Sequence, residues 1–169
     1  MSVTGRGMVG GARRPLAGRP GGPERPPRPP VSWELVALAD PLRDVPLDRA
    51  AVADGHRLTI SRLSVSAYGA RLTFSLEPPW MPPGLRPGRA PLPLPEGLAT
   101  DPAGARYTIV PGASEGDSER LTGELLLQPP PPPGTAWLDV VLTMGPPRRR
   151  PGPLWRLRLP LAASEDAAG

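Results

Sequence analysis

A chain of 169 residues with 29 prolines, 20 glycines and no cysteine has room for one domain plus a tail, and it excludes disulfides, thiolate nucleophiles and cysteine metal sites. All 20 basic residues are arginine; lysine and asparagine are absent, and with Gly, Pro and Ala abundant the composition carries the codon bias of a GC-rich bacterial genome. The net charge of +4 sits at the start: residues 1–30 hold six arginines against Glu24, while the other 139 residues hold fourteen arginines against fifteen acids. A near-neutral body argues against one built to neutralise phosphates.

Residues 1–30 contain seven glycines, seven prolines and almost nothing large and apolar, so they are expected to be a disordered tail. They lack the apolar segment of a secretory signal, and no stretch of the chain approaches the ~20 apolar residues of a membrane span. The expectation is a cytoplasmic protein without a transmembrane segment. The folded domain is expected over 31–162, with 163–169 as a second disordered tail.

From Val31 onward apolar residues come in short bursts punctuated by Pro and Gly, and no window of a dozen residues holds a helical period. The first burst, 32–39, reads as a strand around Trp33, Leu35 and Ala37. DRAAVAD (48–54) reads as a helical turn or two, and Asp40, Asp44, Asp48 and Asp54 as loop acids. His56, the one histidine, reads as a turn residue beside Asp54-Gly55. The second strand is 57–66. Leu58 and Ile60 share a face, as do Leu63 and Val65, but the phase slips between the pairs, which predicts a β-bulge or a change of sheet near Ser61–Arg62. Tyr68-Gly69 supplies a turn into the third strand, 70–77, with Leu72, Phe74 and Leu76 inward. PPWMPPG (78–84) places Trp80 and Met81 in a proline loop, either exposed for a partner or folded back as a lid.

The fourth strand is expected at 105–110. In ASEGDSE, Glu115, Asp117 and Glu119 form either an acidic hairpin loop or a weak cation site. The fifth strand is 119–128. Pro129–Pro133 would form a polyproline II rod of roughly 15 Å, read as a stiff crossover between strands. The sixth strand is 136–144. Arg148, Arg149 and Arg150 lie in the following turn, and the seventh strand, 154–161, turns Trp155, Leu157, Leu159 and Leu161 one way and Arg156 and Arg158 the other. Together those arginines form a candidate basic patch.

Three stretches resemble bacterial immunoglobulin-like (telokin-like) domains: the hairpin LTISRLSVSAYGARLTFSL, the turn LATDPAGARYTIV with Asp101, Gly104 and Tyr107 in a D-x-x-G-x-x-Y pattern, and GELLLQPPPPPGTAWLDVVL. The likeness covers roughly 57–143. It implies a β-sandwich and supplies no catalytic residues.

The fold expected is therefore all-β, an immunoglobulin-like antiparallel β-sandwich of about seven strands, with a five-stranded barrel as the alternative. Its core should include Leu58, Ile60, Leu72, Phe74, Leu76, Leu125, Leu127, Leu138, Val140, Leu142, Leu157 and Leu159. No nucleophile elbow, metal motif or phosphate loop is present. The function expected is a non-catalytic protein-binding or adaptor module without cofactor or metal, its contacts drawn from Trp80, Met81, Arg148, Arg149, Arg150, Arg156 and Arg158. The alternative is nucleic-acid or anionic-surface association through the arginine-rich tail and the 148–158 hairpin.

Overall fold

Alternation in the sequence becomes a ladder of eight antiparallel strands in a computed structural model that describes residues 31–84, 92–144 and 152–162. The expectations for 1–30, 163–169 and Arg148–Arg150 lie outside the described residues. In chain order the elements are α1 (Trp33–Leu38), β1 (Arg43–Ala53), β2 (His56–Val65), β3 (Ala70–Glu77), β4 (Pro95–Thr100), β5 (Arg106–Gly116), β6 (Leu121–Gln128), β7 (Trp137–Met144) and β8 (Leu154–Pro160). The fold is all-β. Where seven strands in two sheets were expected, eight strands form one sheet in the order β1-β2-β3-β6-β5-β4-β7-β8. Its edge strands β1 and β8 come alongside each other, so the sheet nearly closes into a barrel.

The order follows from two overlapping Greek keys. Hairpins join β4, β5 and β6; β3 returns beside β6 and β7 beside β4. The connection from β6 to β7 passes two strands, three interstrand spacings or ~14 Å. Pro129–Pro133 lies in that connection; in place of a straight rod over all five prolines, its end enters a turn in which the Thr135 N–H donates to the Pro132 carbonyl (3.2 Å).

All twelve expected core residues are buried in one cluster, joined by Trp155, Tyr107, Ile109 and Leu121 among others. The phase slip is a bulge at the expected place: Ile60 pairs with Phe74 and Arg62 with Thr73, leaving Ser61 unpaired. A second irregularity lies opposite it, in β1 between Pro46 and Arg49, and bulges side by side increase the local twist that curls a sheet. Asp54 (φ 50°) and Gly55 (φ 81°) make the β1–β2 hairpin turn, both in the left-handed region that a two-residue primed turn requires.

Three expectations are corrected. Residues 32–39 form α1 in place of a strand. The helix is short, and tertiary contacts hold it: Val36 packs on Gly69, Arg71 Nη1 donates to the Ala37 carbonyl (3.3 Å), and Gln128 Nε2 donates to the Val31 carbonyl (2.8 Å). Residues 48–54 belong to β1 in place of a helical turn, because pairing with β2 outweighs the helix propensity of alanine. Pro46 is tolerated there since β1 is an edge strand. Finally, β4 is an additional strand. At its Gly97 a Cβ would run into the Val141 carbonyl, so only glycine lets β4 lie this close to β7.

Candidate functional site

The antiparallel ladder has two rims. At one, β1, β3, β5 and β7 begin and β2, β4, β6 and β8 end; this proline rim carries Pro129–Pro133. At the other, β1, β3, β5 and β7 end and β2, β4, β6 and β8 begin; it is the tryptophan rim, after Trp80 and Trp155.

At the proline rim an open groove of about 350 Å³ runs between Leu42, Arg43, Val65 and Ser66 on one side and Pro130–Pro133 on the other. Mouths of β-barrels are a common place for ligand sites, and this volume is at the lower end of their range. The position of Arg43 follows from strand parity. Val45 and Leu47, two and four residues on, pack against the core, whereas Asp44 faces away and accepts the Ser64 hydroxyl. Arg43 therefore turns inward at the rim, and its Nη2 is buried with no hydrogen-bond partner among the described residues. A buried guanidinium nitrogen without an acceptor is costly and uncommon.

Ser66 Oγ donates to the Gly69 carbonyl (3.3 Å) and accepts the Tyr68 N–H (3.2 Å), so its hydroxyl serves the β2–β3 turn. The proline wall has carbonyl acceptors and no N–H. Leu42, which lines the groove, is 77% exposed; Leu38, four residues before it, is 75% exposed, and Tyr68, whose N–H bonds the lining Ser66, is exposed too. A cluster of exposed apolar side chains beside a groove marks an interaction surface.

At the tryptophan rim the expected contact residues lie differently. Trp80 is half-buried and packs against the core, as do Leu92 and Leu94; Met81, the next residue, is half-buried. Gly152 abuts the Trp80 ring. His56 Nδ1 donates to the Pro78 carbonyl (2.7 Å), and the His56 carbonyl accepts from Trp155 Nε1 (3.0 Å), which ties the start of the proline loop to the closing strand.

Of the expected basic patch, Arg148–Arg150 lie outside the described residues, and Arg156 and Arg158 are exposed on one face of β8. Arg158 Nε and Nη2 form a two-point pair with Asp139 (2.8 and 3.0 Å), and its guanidinium stacks 4.0 Å over Trp137. Hydrogen bonding from Arg158 holds the Asp139 carboxyl below the usual carboxylate range. Arg156 is exposed on the same face of β8.

Of the three acids in ASEGDSE, Asp117 has a turn-forming task. Its Oδ1 accepts the N–H groups of Glu119 (2.7 Å) and Arg120 (3.1 Å), and these lower its pKa. Among the described residues no group of three or more His, Asp or Glu is arranged to hold a metal ion, and no helix is long and apolar enough to cross a membrane.

Sequence reasoning missed Arg43. The available signal was the alternation Arg43-Val45-Leu47, which Pro46 and the flanking acids disguise as a loop. Compared with family models, curated proteins and solved structures, the chain matches none.

Proposed function

We propose that this protein is a non-catalytic binding module whose partner docks at the proline rim. The observation that carries this reading is the juxtaposition of an open groove with the exposed side chains of Leu38, Leu42 and Tyr68. Such an arrangement offers contact area and one charge, with no acid–base pair aimed at a common point among its described residues. A likeness to immunoglobulin-like domains is supported by the Greek-key connections and by the turn locked through Asp101 and Tyr107; the single continuous ladder is what sets this chain apart from a two-sheet sandwich. Nucleic-acid association draws less support, because the charge of Arg158 is matched by Asp139.

Two substitutions at opposite rims test the reading. Leu42→Asp alters an exposed side chain, so Tm should stay within about 2 °C of wild type. Affinity capture should then lose the partner retained by wild type. Trp80→Ala removes packing from the core, so it should lower Tm by ~3–6 °C while the surviving folded fraction keeps the partner. Capture that survives Leu42→Asp and disappears with Trp80→Ala at unchanged Tm would move the docking surface to the tryptophan rim.

A further inference from the structure

We propose that the partner meeting the proline rim is a second copy of this chain, and that the two copies exchange α1: the helix of each seats on the outer face of β3 and β6 of the other. This rests on the binding-module reading above and deepens it by naming the partner.

The seat is visible because α1 occupies it within one chain. Among the described residues, Val36 and Leu126 are the buried apolar side chains that stand outside the core cluster. Leu125 and Leu127 point into the core, so Leu126 and Gln128 point out of the sheet; Ala70 and Leu72 send Arg71 the same way. Arg71, opposite Leu126 in the ladder, donates to the Ala37 carbonyl, and Gln128 donates to the Val31 carbonyl. Both bonds place α1 on that outer face. Val36 closes over Gly69, where a Cβ would meet its two methyl groups at 2.9 and 3.0 Å. The seat therefore reads one branched apolar side chain and a backbone carbonyl to either side of it. An identical helix from a second copy supplies all three.

The hinge is what lets α1 pass between copies. The helix is too short to hold itself, has no side-chain cap at Ser32 and keeps its place through the contacts above. Residues 39–41 alone separate it from Leu42, whose N–H bonds the Val65 carbonyl at the end of β2. Ala39 is extended (φ −67°, ψ 140°), and Pro41 biases Asp40 the same way. Three extended residues reach ~10 Å, enough to hand α1 to a neighbour docked at this rim. Leu38 and Leu42 stand at the two ends of the hinge, both largely exposed. In an exchanged pair the two hinges run alongside each other at the two-fold axis, and the four leucines meet there. Exchange remakes every contact of α1 and covers these side chains in addition, so a second copy fits this surface better than an unrelated chain.

The chain has no cysteine, so introduced ones are the sole targets of a thiol cross-linker. One full-length variant carries Val31→Cys and a second, distinguished by a tag, carries Gln128→Cys. They are mixed over a wide concentration series and treated with a short bismaleimide. The expected result is a covalent dimer containing one of each, increasing with concentration, and a doubled mass for wild type by light scattering. Val36→Asp added to the Val31→Cys chain should reduce that dimer to background. Val36 lies outside the core cluster, so the barrel should still fold, which thermal unfolding checks. Leu42→Asp should weaken the wild-type dimer about tenfold or more. A mixture that yields no covalent dimer, while both cysteines placed in one chain cross-link within the monomer, would overturn the exchange. So would a mixed dimer that persists with Val36→Asp, or a doubled mass without the mixed cross-link. If the exchange fails, a different protein whose capture is lost with Leu42→Asp would leave the binding module standing; a monomer that captures nothing would remove both.

Discussion

Trp155→Ala is expected to destabilise the protein by about 3–5 kcal/mol, the range for truncating a large buried aromatic. That is a fall in Tm of ~10–20 °C for a domain of this size. Trp155 is 1% exposed and belongs to β8, the edge strand that comes alongside β1. Its indole reaches past that seam, because Nε1 donates to the carbonyl of His56 in β2 (3.0 Å). Between β1 and β8 no ladder pairing is present among the described residues, so side-chain packing has to hold the seam. Removing the ring opens a cavity beside it and leaves the His56 carbonyl without its donor. Trp155→Phe separates the two effects. It restores most of the volume and none of the hydrogen bond, so it should cost about 1–2 kcal/mol. Thermal unfolding of both variants is the measurement. A Trp155→Ala protein that melts within 3 °C of wild type would show that the seam is held elsewhere.

The parts of this fold that were legible in the sequence are those where burial and hydrophobicity coincide. In β3 the inward residues are Leu72, Phe74 and Leu76 and the outward ones are polar, so face and register follow directly from a period of two. The bulge at Ser61 was legible for the same reason, since an unpaired residue shifts that period by one. In β1 and β4 the pattern is reversed. Val52 and Leu98 face solvent, and the inward positions beside them hold only alanine (Ala51, Ala53, Ala99); at the start of β1 the inward Val45 and Leu47 follow Arg43 and are separated from that half by the irregularity between Pro46 and Arg49. A period search loses a strand whose inward residues are small and whose large apolar residues point outward. Helix α1 was illegible on other grounds: a six-residue helix has little stability of its own, and its anchors, Gly69, Arg71 and Gln128, lie far along the chain.

The candidate site shows the same division. Pro129–Pro133 announced a crossover between strands, and it lies between β6 and β7. That this run lines a groove depends on which strand ends face it across the rim, and only the order of the sheet decides that. Arg43 enters the groove because β1 is paired in one register with β2, Arg43 opposite Val65. A shift of one residue would place Asp44 inward and reverse the charge of the site.

The turn between β4 and β5 should give the fold a two-sided pH dependence. Asp101, 7% exposed, accepts the Tyr107 hydroxyl (2.8 Å) and the Ala105 N–H (2.9 Å). The Tyr107 hydroxyl first, and then the backbone N–H groups of the turn, outweigh the opposing effect of burial and hold the Asp101 carboxyl below its ordinary 3.8. Burial first, then the hydrogen bond and the charge of Asp101, push Tyr107 up from 10.0 to about 12. A carboxyl with a depressed folded pKa contributes stability that is complete above its unfolded value and is lost as pH falls through the folded one. A tyrosine with a raised pKa contributes stability that is complete below pH 10 and is lost as pH rises from 10 to about 12. Wild type should therefore lose stability below pH 4, together with its other hydrogen-bonded carboxylates Asp117 and Asp139, and again above pH 10. Tyr107→Phe should lower Tm at pH 7 by ~3–6 °C and flatten the alkaline side. Asp101→Asn should flatten part of the acid side and leave the Asp117 and Asp139 contributions. Urea unfolding from pH 3 to pH 12 measures both. An alkaline loss of the same size in Tyr107→Phe would place its origin outside this turn; its disappearance would make Asp101–Tyr107 the lock that holds β4, the strand whose sequence conceals it, between β5 and β7.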